Sequence, residues 1–306
     1  MKKEIHNPQA INSISELHQL LRIPKPDHPL VSFVNLEKMS CLVNDNLKNI
    51  IYNFYAISIK RGFTGKLKYG QNYYDFDDGI MTFMSPNQII STEVSEDTLV
   101  SGSMLVIHPD FIQNYALAKN IKNFTFFSYA VHEALHLSEK EEKMITGIMQ
   151  NIEQEYLSSI DAFSQDVIIS HIELLLNYCN RFYNRQFLTR KSANNTLLTK
   201  LETLLSDYFE HDKVQKLGLP TVAYVSEQLN VSPNYLSDML RSLTGQSTQH
   251  HIHNKVIEKA KELLSTTSLS VSETAYQLGF EYPQSFNKLF KSKTKLSPLE
   301  FRSSFN

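Results

Sequence analysis

The chain has 306 residues, enough for two ordinary domains, and 42% of them are apolar, enough for each domain to bury a core. Its net charge of −2 argues against a general nucleic-acid coat protein. No apolar run approaches the ~18 residues of a membrane span, so a cytoplasmic chain with no membrane partner is expected.

Cys41 and Cys179 are too few for a disulfide framework and fit a reducing compartment. Met1-Lys2-Lys3 leads into Glu4, His6, Asn7 and Gln9, without the apolar run of a signal peptide. Ile14, Leu17, Leu20 and Leu21 mark a short helix, and Pro24, Pro26 and Pro29 then break the chain. From about residue 30 to 112 the texture is that of strands. Val31–Leu36, Ile50–Ile59, Leu67–Tyr74, Ile80–Met84 and Ser103–Ile107 are rich in β-branched and aromatic residues, with turn residues between them. A small antiparallel barrel or sandwich is expected. From residue 139 the period becomes helical. Ser138 and Glu141 form a capping box, and Met144, Ile145, Ile148, Met149, Ile152 and Tyr156 share one stripe. A second helix carries Phe163, Val167, Ile168, Ile172, Leu175, Leu176, Cys179 and Phe182. These stripes fit core packing or a dimer face. The polar, basic stretch 184–196 is taken as turn-rich. The expected division is therefore 1–185, a linker at 186–196, and 197–306.

Residues 222–248 and 271–298 repeat one pattern. Val222, Ser226 and Leu229 correspond to Val271, Ala275 and Leu278 at an offset of 49. Leu236, Leu240, Arg241, Thr244 and Ser247 correspond to Phe286, Phe290, Lys291, Thr294 and Ser297 at an offset of 50. Each copy reads as helix, tight turn, helix, about 222–245 and 271–294. The first turn is Asn230-Val231-Ser232 with Pro233 at the first helical position; the second is Gly279-Phe280-Glu281-Tyr282 with Pro283. Ser270 with Glu273 and Ser297 with Glu300 form further capping boxes. Thr248 to about Leu264 reads as a connecting helix of seventeen residues. Such a helix is ~25 Å long, the scale needed to set two reading helices about one turn of DNA apart.

In a helix-turn-helix the exposed face of the second helix is left for the major groove. Here that face offers Asn234, Ser237, Asp238 and Arg241 in the first copy, and Gln284, Ser285, Asn287, Lys288 and Lys291 in the second. These groups suit base edges or phosphates. Residues 283–306 hold Lys288, Lys291, Lys293, Lys295 and Arg302 against Glu300 alone, whereas 197–282 hold seven basic and ten acidic side chains. The electrostatic footprint therefore sits at the second unit.

The run Ala275-Tyr-Gln-Leu-Gly-Phe280, Ser285-Phe286, Lys288, Phe290-Lys291, Ser297-Pro298 and Phe301-Arg302 resembles the AraC/XylS family of bacterial transcription activators. Val231-Ser232-Pro-Asn-Tyr-Leu236 and Thr244-Gly245 fit its first unit, and about 110 residues are covered. Lys295 stands where the family usually has Gly, which leaves the turn before the last helix open to another shape. Asp238 stands where a basic residue is common, which lowers the expected affinity of the first unit, although Asp can accept from cytosine N4. Gly79-Ile-Met-Thr-Phe-Met-Ser-Pro-Asn-Gln88 looks like a stretch of the cupin-like barrels that precede this domain in the family. The resemblance implies an α+β chain: an N-terminal cupin-like β-barrel with a helical extension, then an all-α domain with two helix-turn-helix units. It implies an activator that binds double-stranded DNA and works with RNA polymerase. A small-molecule effector or a second copy of the chain (a homodimer) would act at the N-terminal domain. No metal, cofactor or catalytic residue is expected, because residues 30–110 hold no His and Glu cluster of the kind enzyme cupins use.

One motif points elsewhere. His132-Glu133-Ala134-Leu135-His136 matches H-E-x-x-H, in which two histidines on one helical face bind zinc and the Glu acts as base of a metallopeptidase. Ser138 as the cap of the following helix would leave this motif outside any helix. His250, His251 and His253 also cluster, but adjacent positions on a helix face different ways, and solvated or DNA-proximal polar groups are expected there.

Overall fold

A computed structural model describes residues 9–38, 50–61, 63–69, 72–76, 79–90, 101–130, 133–159, 161–210 and 213–305. The chain divides into two units, Met1–Gln186 and Phe187–Asn306.

In the first unit the apolar run Ala56, Ile57 and Ile59 lies on β4 (Tyr55–Arg61), the middle strand of a sheet, whose side chains from 56 to 59 are buried on both faces. β4 is flanked by β7 (Ile80–Met84) and β9 (Ser101–Ile107), and outside these lie β10 (Leu135–His136) and β2 (Val31–Asn35), all antiparallel. A second sheet joins β1 (Gln9–Ile11), β3 (Ile50–Tyr52) and β8 (Gln88–Ile90), with β1 and β3 parallel. β5 (Phe63–Tyr69) and β6 (Asn72–Phe76) form a separate hairpin. The first two sheets share a core. Val34 and Val106 from one meet Ile11 and Ile50 from the other, with Phe54 and with Ile14, Leu17 and Leu21 of the segment containing α1 (Ile14–Leu20).

The expected barrel is thus three separate sheets, and among the described residues no closed ring of strands joins them. Two expected strands are each two strands. Ile50–Ile59 breaks at Asn53-Phe54, where the fully buried Phe54 plugs the core and the chain passes from one sheet to the other. Leu67–Tyr74 folds back on itself, pairing Tyr69 with Asn72; its turn residues, 70 and 71, lie outside the described residues.

Short helices α2 (Pro109–Ile112) and α3 (Leu117–Asn120) lead to α4 (Glu139–Leu157) and α5 (Ser164–Thr189). The Ser138–Glu141 capping box is present. Five of the six stripe residues of α4 are buried, Met144 being exposed; on α5 Ile168, Ile172, Leu175, Leu176, Cys179 and Phe182 are buried, while Phe163 and Val167 are exposed. The stripes are mainly core. Burial pushes the Cys179 thiol far above its ordinary range.

The expected linker is helical. α5 runs to Thr189 and α6 (Lys191–Glu210) follows at once. Residues 184–196 are polar but contain neither Gly nor Pro, so they stay helical apart from the turn at Arg190. Buried Asn194 donates to the Phe187 carbonyl at 2.6 Å, and Phe187 packs edge-on against Tyr235 at 5.3 Å. The second unit continues through α7 (Lys213–Leu217), α8 (Val222–Gln228), α9 (Pro233–Thr244), α10 (Thr248–Thr266), α11 (Val271–Gln277), α12 (Pro283–Thr294) and α13 (Pro298–Ser303).

Gly102 tests the central sheet. It sits opposite Lys60 with φ +128°, and a Cβ there would lie 2.0 Å from the Ile59 carbonyl oxygen. Gly102→Ala should destabilise the first unit by about 3 kcal/mol, read as an earlier urea midpoint of its β-sheet signal.

Candidate nucleic-acid interface

The two repeats superimpose in their local bonding. In the first, Val231 N–H donates to Ser226 O at 3.0 Å; in the second, Phe280 N–H donates to Ala275 O at 3.0 Å. The residue between helices is left-handed in both, Asn230 at φ 56° and Gly279 at φ 82°. The second helices end alike, with Gly245 at φ 73° and Lys295 at φ 68°, each donating to the carbonyl four residues back at 2.9 Å. Thr244 and Thr294 each turn a hydroxyl onto the carbonyl four residues before them at 2.8 Å. Lys295 therefore makes the same turn that Gly245 makes, despite its Cβ. Gly279 has a separate reason to be glycine: a Cβ would lie 2.8 Å from Val214 Cγ1 and 2.9 Å from the Gly218 carbonyl carbon.

α10 holds both units. Its buried face holds Ile252, Val256, Ile257, Ala260 and Leu264, with Leu263 half-buried, and its 19 residues make a rod of ~28 Å. On α9 the buried residues are Leu236, Met239 and Leu240; on α12 they are Phe286 and Phe290, whose rings lie 5.6 Å apart. The side chains opposite these are the predicted reading faces.

On α12 all five predicted residues, Gln284, Ser285, Asn287, Lys288 and Lys291, are exposed. Lys288 and Lys291 enter no ion pair among the described residues. On α9 the picture is more constrained. Asn234 is exposed, but Ser237 is half-buried and its hydroxyl lies 3.0 Å from that of buried Thr248. Asp238 accepts from Arg241 Nη1 at 2.8 Å, so the acid neutralises the one base on that face. The pair is partly exposed and contributes only about 0.3–0.5 kcal/mol to the helix. Nearby on α10, Lys255 pairs with Glu258 and Lys259 with Glu262.

The strut histidines are structural partners. His251 Nε2 lies 3.0 Å from Thr244 Oγ1, and His250 Nδ1 lies 3.0 Å from Ser247 Oγ. Burial, opposed by Glu202, lowers the His251 pKa; burial, then Lys293 and His250, lowers that of His253. Both stay neutral at pH 7 and add no charge to the surface.

The H-E-x-x-H stretch does not form the helix its chemistry needs. His132 lies outside the described residues. Glu133 is buried and its carboxylate accepts from the Ala130 N–H at 2.6 Å. Leu135 and His136 are extended and paired with Met81 and Ile80 of β7. Gln186 Oε1 accepts from the His136 N–H, and Arg185 donates to the His136 carbonyl, both at 2.8 Å. Arg185 also pairs with Glu141 of the capping box. These residues tie a sheet edge to α4 and α5.

Residues 225–304 match the helix-turn-helix domain family. The uncharacterized HTH-type transcriptional regulator YfiF of Bacillus subtilis (strain 168) is 32% identical over 49% of this chain and 44% of its own. The arabinose operon regulatory protein of Escherichia coli (strain K12) is 35% identical over 26% of this chain and 28% of its own. The HTH-type transcriptional activator RhaS of Escherichia coli O1:K1 / APEC is 24% identical over 82% of this chain and 86% of its own. The chain spans about half the length of the first of these relatives.

The left-handed Lys295 gives a direct test. Lys295→Gly should raise stability of the second unit by about 0.5–1 kcal/mol, because glycine adopts this φ without strain. An unchanged or lower denaturation midpoint would mean that the side chain makes a compensating contact.

Proposed function

The chain belongs to the AraC/XylS family through its C-terminal helix-turn-helix domain, and on that premise we propose that it is a sequence-specific regulator of transcription that reads double-stranded DNA with two helices from one chain. The observation that carries this reading is the repeat itself: α9 and α12 are built by the same bonds and fastened to one rod, and each bares the face opposite its buried residues. The two faces divide the work unequally. α12, whose Lys288 and Lys291 enter no ion pair among the described residues although Lys291 lies near enough to Glu300 to lower its pKa, supplies most of the affinity; α9, with Arg241 held by Asp238, mainly adds selectivity. The N-terminal unit is the regulatory half, a cupin-like domain that takes a small-molecule effector and brings two copies together. Family members often carry such a domain in this part of the chain. RNA polymerase is the partner at the promoter, and activation is the outcome.

Selection of bound duplexes from a random library by the full chain, followed by footprinting, tests the reading. Two protected major-groove segments on one face of the duplex are expected, and a library with no enriched sequence would overturn it. Within α12, Lys291 lies near the C-terminal end, where a point charge suits phosphate. Lys291→Ala should weaken binding to all sequences alike and lower the slope of log affinity against log salt by about one. Gln284 and Asn287 lie toward the N-terminal end, and their amides match adenine N6 and N7. Gln284→Ala or Asn287→Ala should cost about 1–3 kcal/mol at the preferred site and relax one base position. Competition against single-base variants at two salt concentrations separates the outcomes.

A further inference from the structure

The repeat contains its own control for one residue. The start of α9 is Ser232, whose hydroxyl accepts from the Tyr235 N–H at 3.3 Å. At the corresponding position of α12, fifty residues on, stands Tyr282, whose side chain makes no capping bond, although its carbonyl accepts from the Ser285 N–H at 3.0 Å. α8, α11 and α13 also begin on Thr221, Ser270 and Ser297, each accepting from a first-turn amide, and α10 begins on Ser247. Of helices α8–α13, α12 alone starts on a side chain that cannot cap. A Ser there would strengthen the helix start by about fivefold in equilibrium terms. Tyr282 is instead 60% exposed, at the end of the helix where base edges are met.

The backbone is prepared for that placement. Pro283 follows, which confines Tyr282 to the extended region, and Tyr282 lies there at φ −128°, ψ 123°. Little main-chain freedom remains to be lost when the ring meets a ligand. Glu281, exposed and adjacent, repels phosphate and so disfavours use of the phenol hydroxyl on the DNA backbone. An apolar partner in the groove remains, and the major groove offers one such group, the C5 methyl of thymine.

We propose that Tyr282 is a further specificity-determining residue, its ring packing on a thymine methyl beside the bases met by Gln284 and Asn287. The inference rests on α12 being a reading helix. The experiment uses the full chain and the duplex it selects from a random library, with each thymine replaced in turn by deoxyuridine, which removes only the methyl. The wild type should lose about tenfold in affinity at one thymine. Tyr282→Ser should bind the parent duplex about tenfold more weakly and no longer distinguish thymine from uracil there, while exchange of the Gln284 and Ser285 amides slows about fivefold. Tyr282→Phe should keep the discrimination. If Tyr282→Ser slows exchange but leaves affinity and methyl preference intact, Tyr282 is an uncapped surface residue and the proposal fails. If Tyr282→Phe binds as weakly as Tyr282→Ser, the hydroxyl makes the contact and the methyl assignment fails. A wild-type chain that enriches no sequence would instead overturn the regulator reading on which this rests.

Discussion

Neither helix-turn-helix unit has enough apolar surface to fold by itself, and the burial of one face of α10 is what lets both exist. Each unit has about two dozen residues, far below the size at which a chain can bury a sufficient core. Leu236, Met239 and Leu240 on one side and Phe286 and Phe290 on the other are fully buried, and α10, with Ile252, Val256, Ile257, Ala260 and Leu264 buried, packs against both α9 and α12. Each such side chain contributes about 1.5–3 kcal/mol on leaving water. The same burial holds the two reading faces on a single rod. Arg302 reinforces its far end by donating Nε to the Leu264 carbonyl at 3.1 Å, a cation at a helix C-terminus.

The repeat keeps its geometry while exchanging the residues that make it. Both copies need a left-handed residue in the turn and another at the end of the second helix. The first copy uses Asn230 and Gly245, the second Gly279 and Lys295. Close packing against Val214 and Gly218 explains why the glycine of the second copy is in the turn. With the turn so occupied, Lys295 takes on the strain at the helix end. It also adds a positive charge near the candidate interface, an unusual backbone conformation tolerated where charge is useful.

The charge pattern divides the copies further. Asp238 holds Arg241, while among the described residues Lys288 and Lys291 enter no ion pair, so the field that draws a polyanion is concentrated on α12. Tyr282 belongs to the same asymmetry, since the first copy keeps a stabilising Ser232 at its position. In each case the second copy gives up local stability or neutrality for exposed chemistry.

Features set by near neighbours in the chain were legible in the sequence alone. The capping boxes at Ser138, Ser270 and Ser297, the prolines at the first helical positions, the paired helices and the strut all follow from residues three or four apart, where local hydrogen bonding decides the outcome. The exposed face of α12 was legible for the same reason. What needed the tertiary structure was set by distant partners. Ser237 is engaged by Thr248, Asn53-Phe54 divides one apolar run between two sheets, and among the described residues no closed ring of strands joins the sheets. Residues 184–196 read as a linker by polarity, yet polarity does not break a helix: Arg185 and Gln186 bond to His136 in the first unit, and the Asn194 and Phe187 contacts hold residues 187–196 in the second. The H-E-x-x-H letters suggested a helical metal site, but Leu135 and His136 pair as a strand with β7 and the Glu133 carboxylate accepts from the Ala130 N–H, contacts made by partners distant from the motif or outside it.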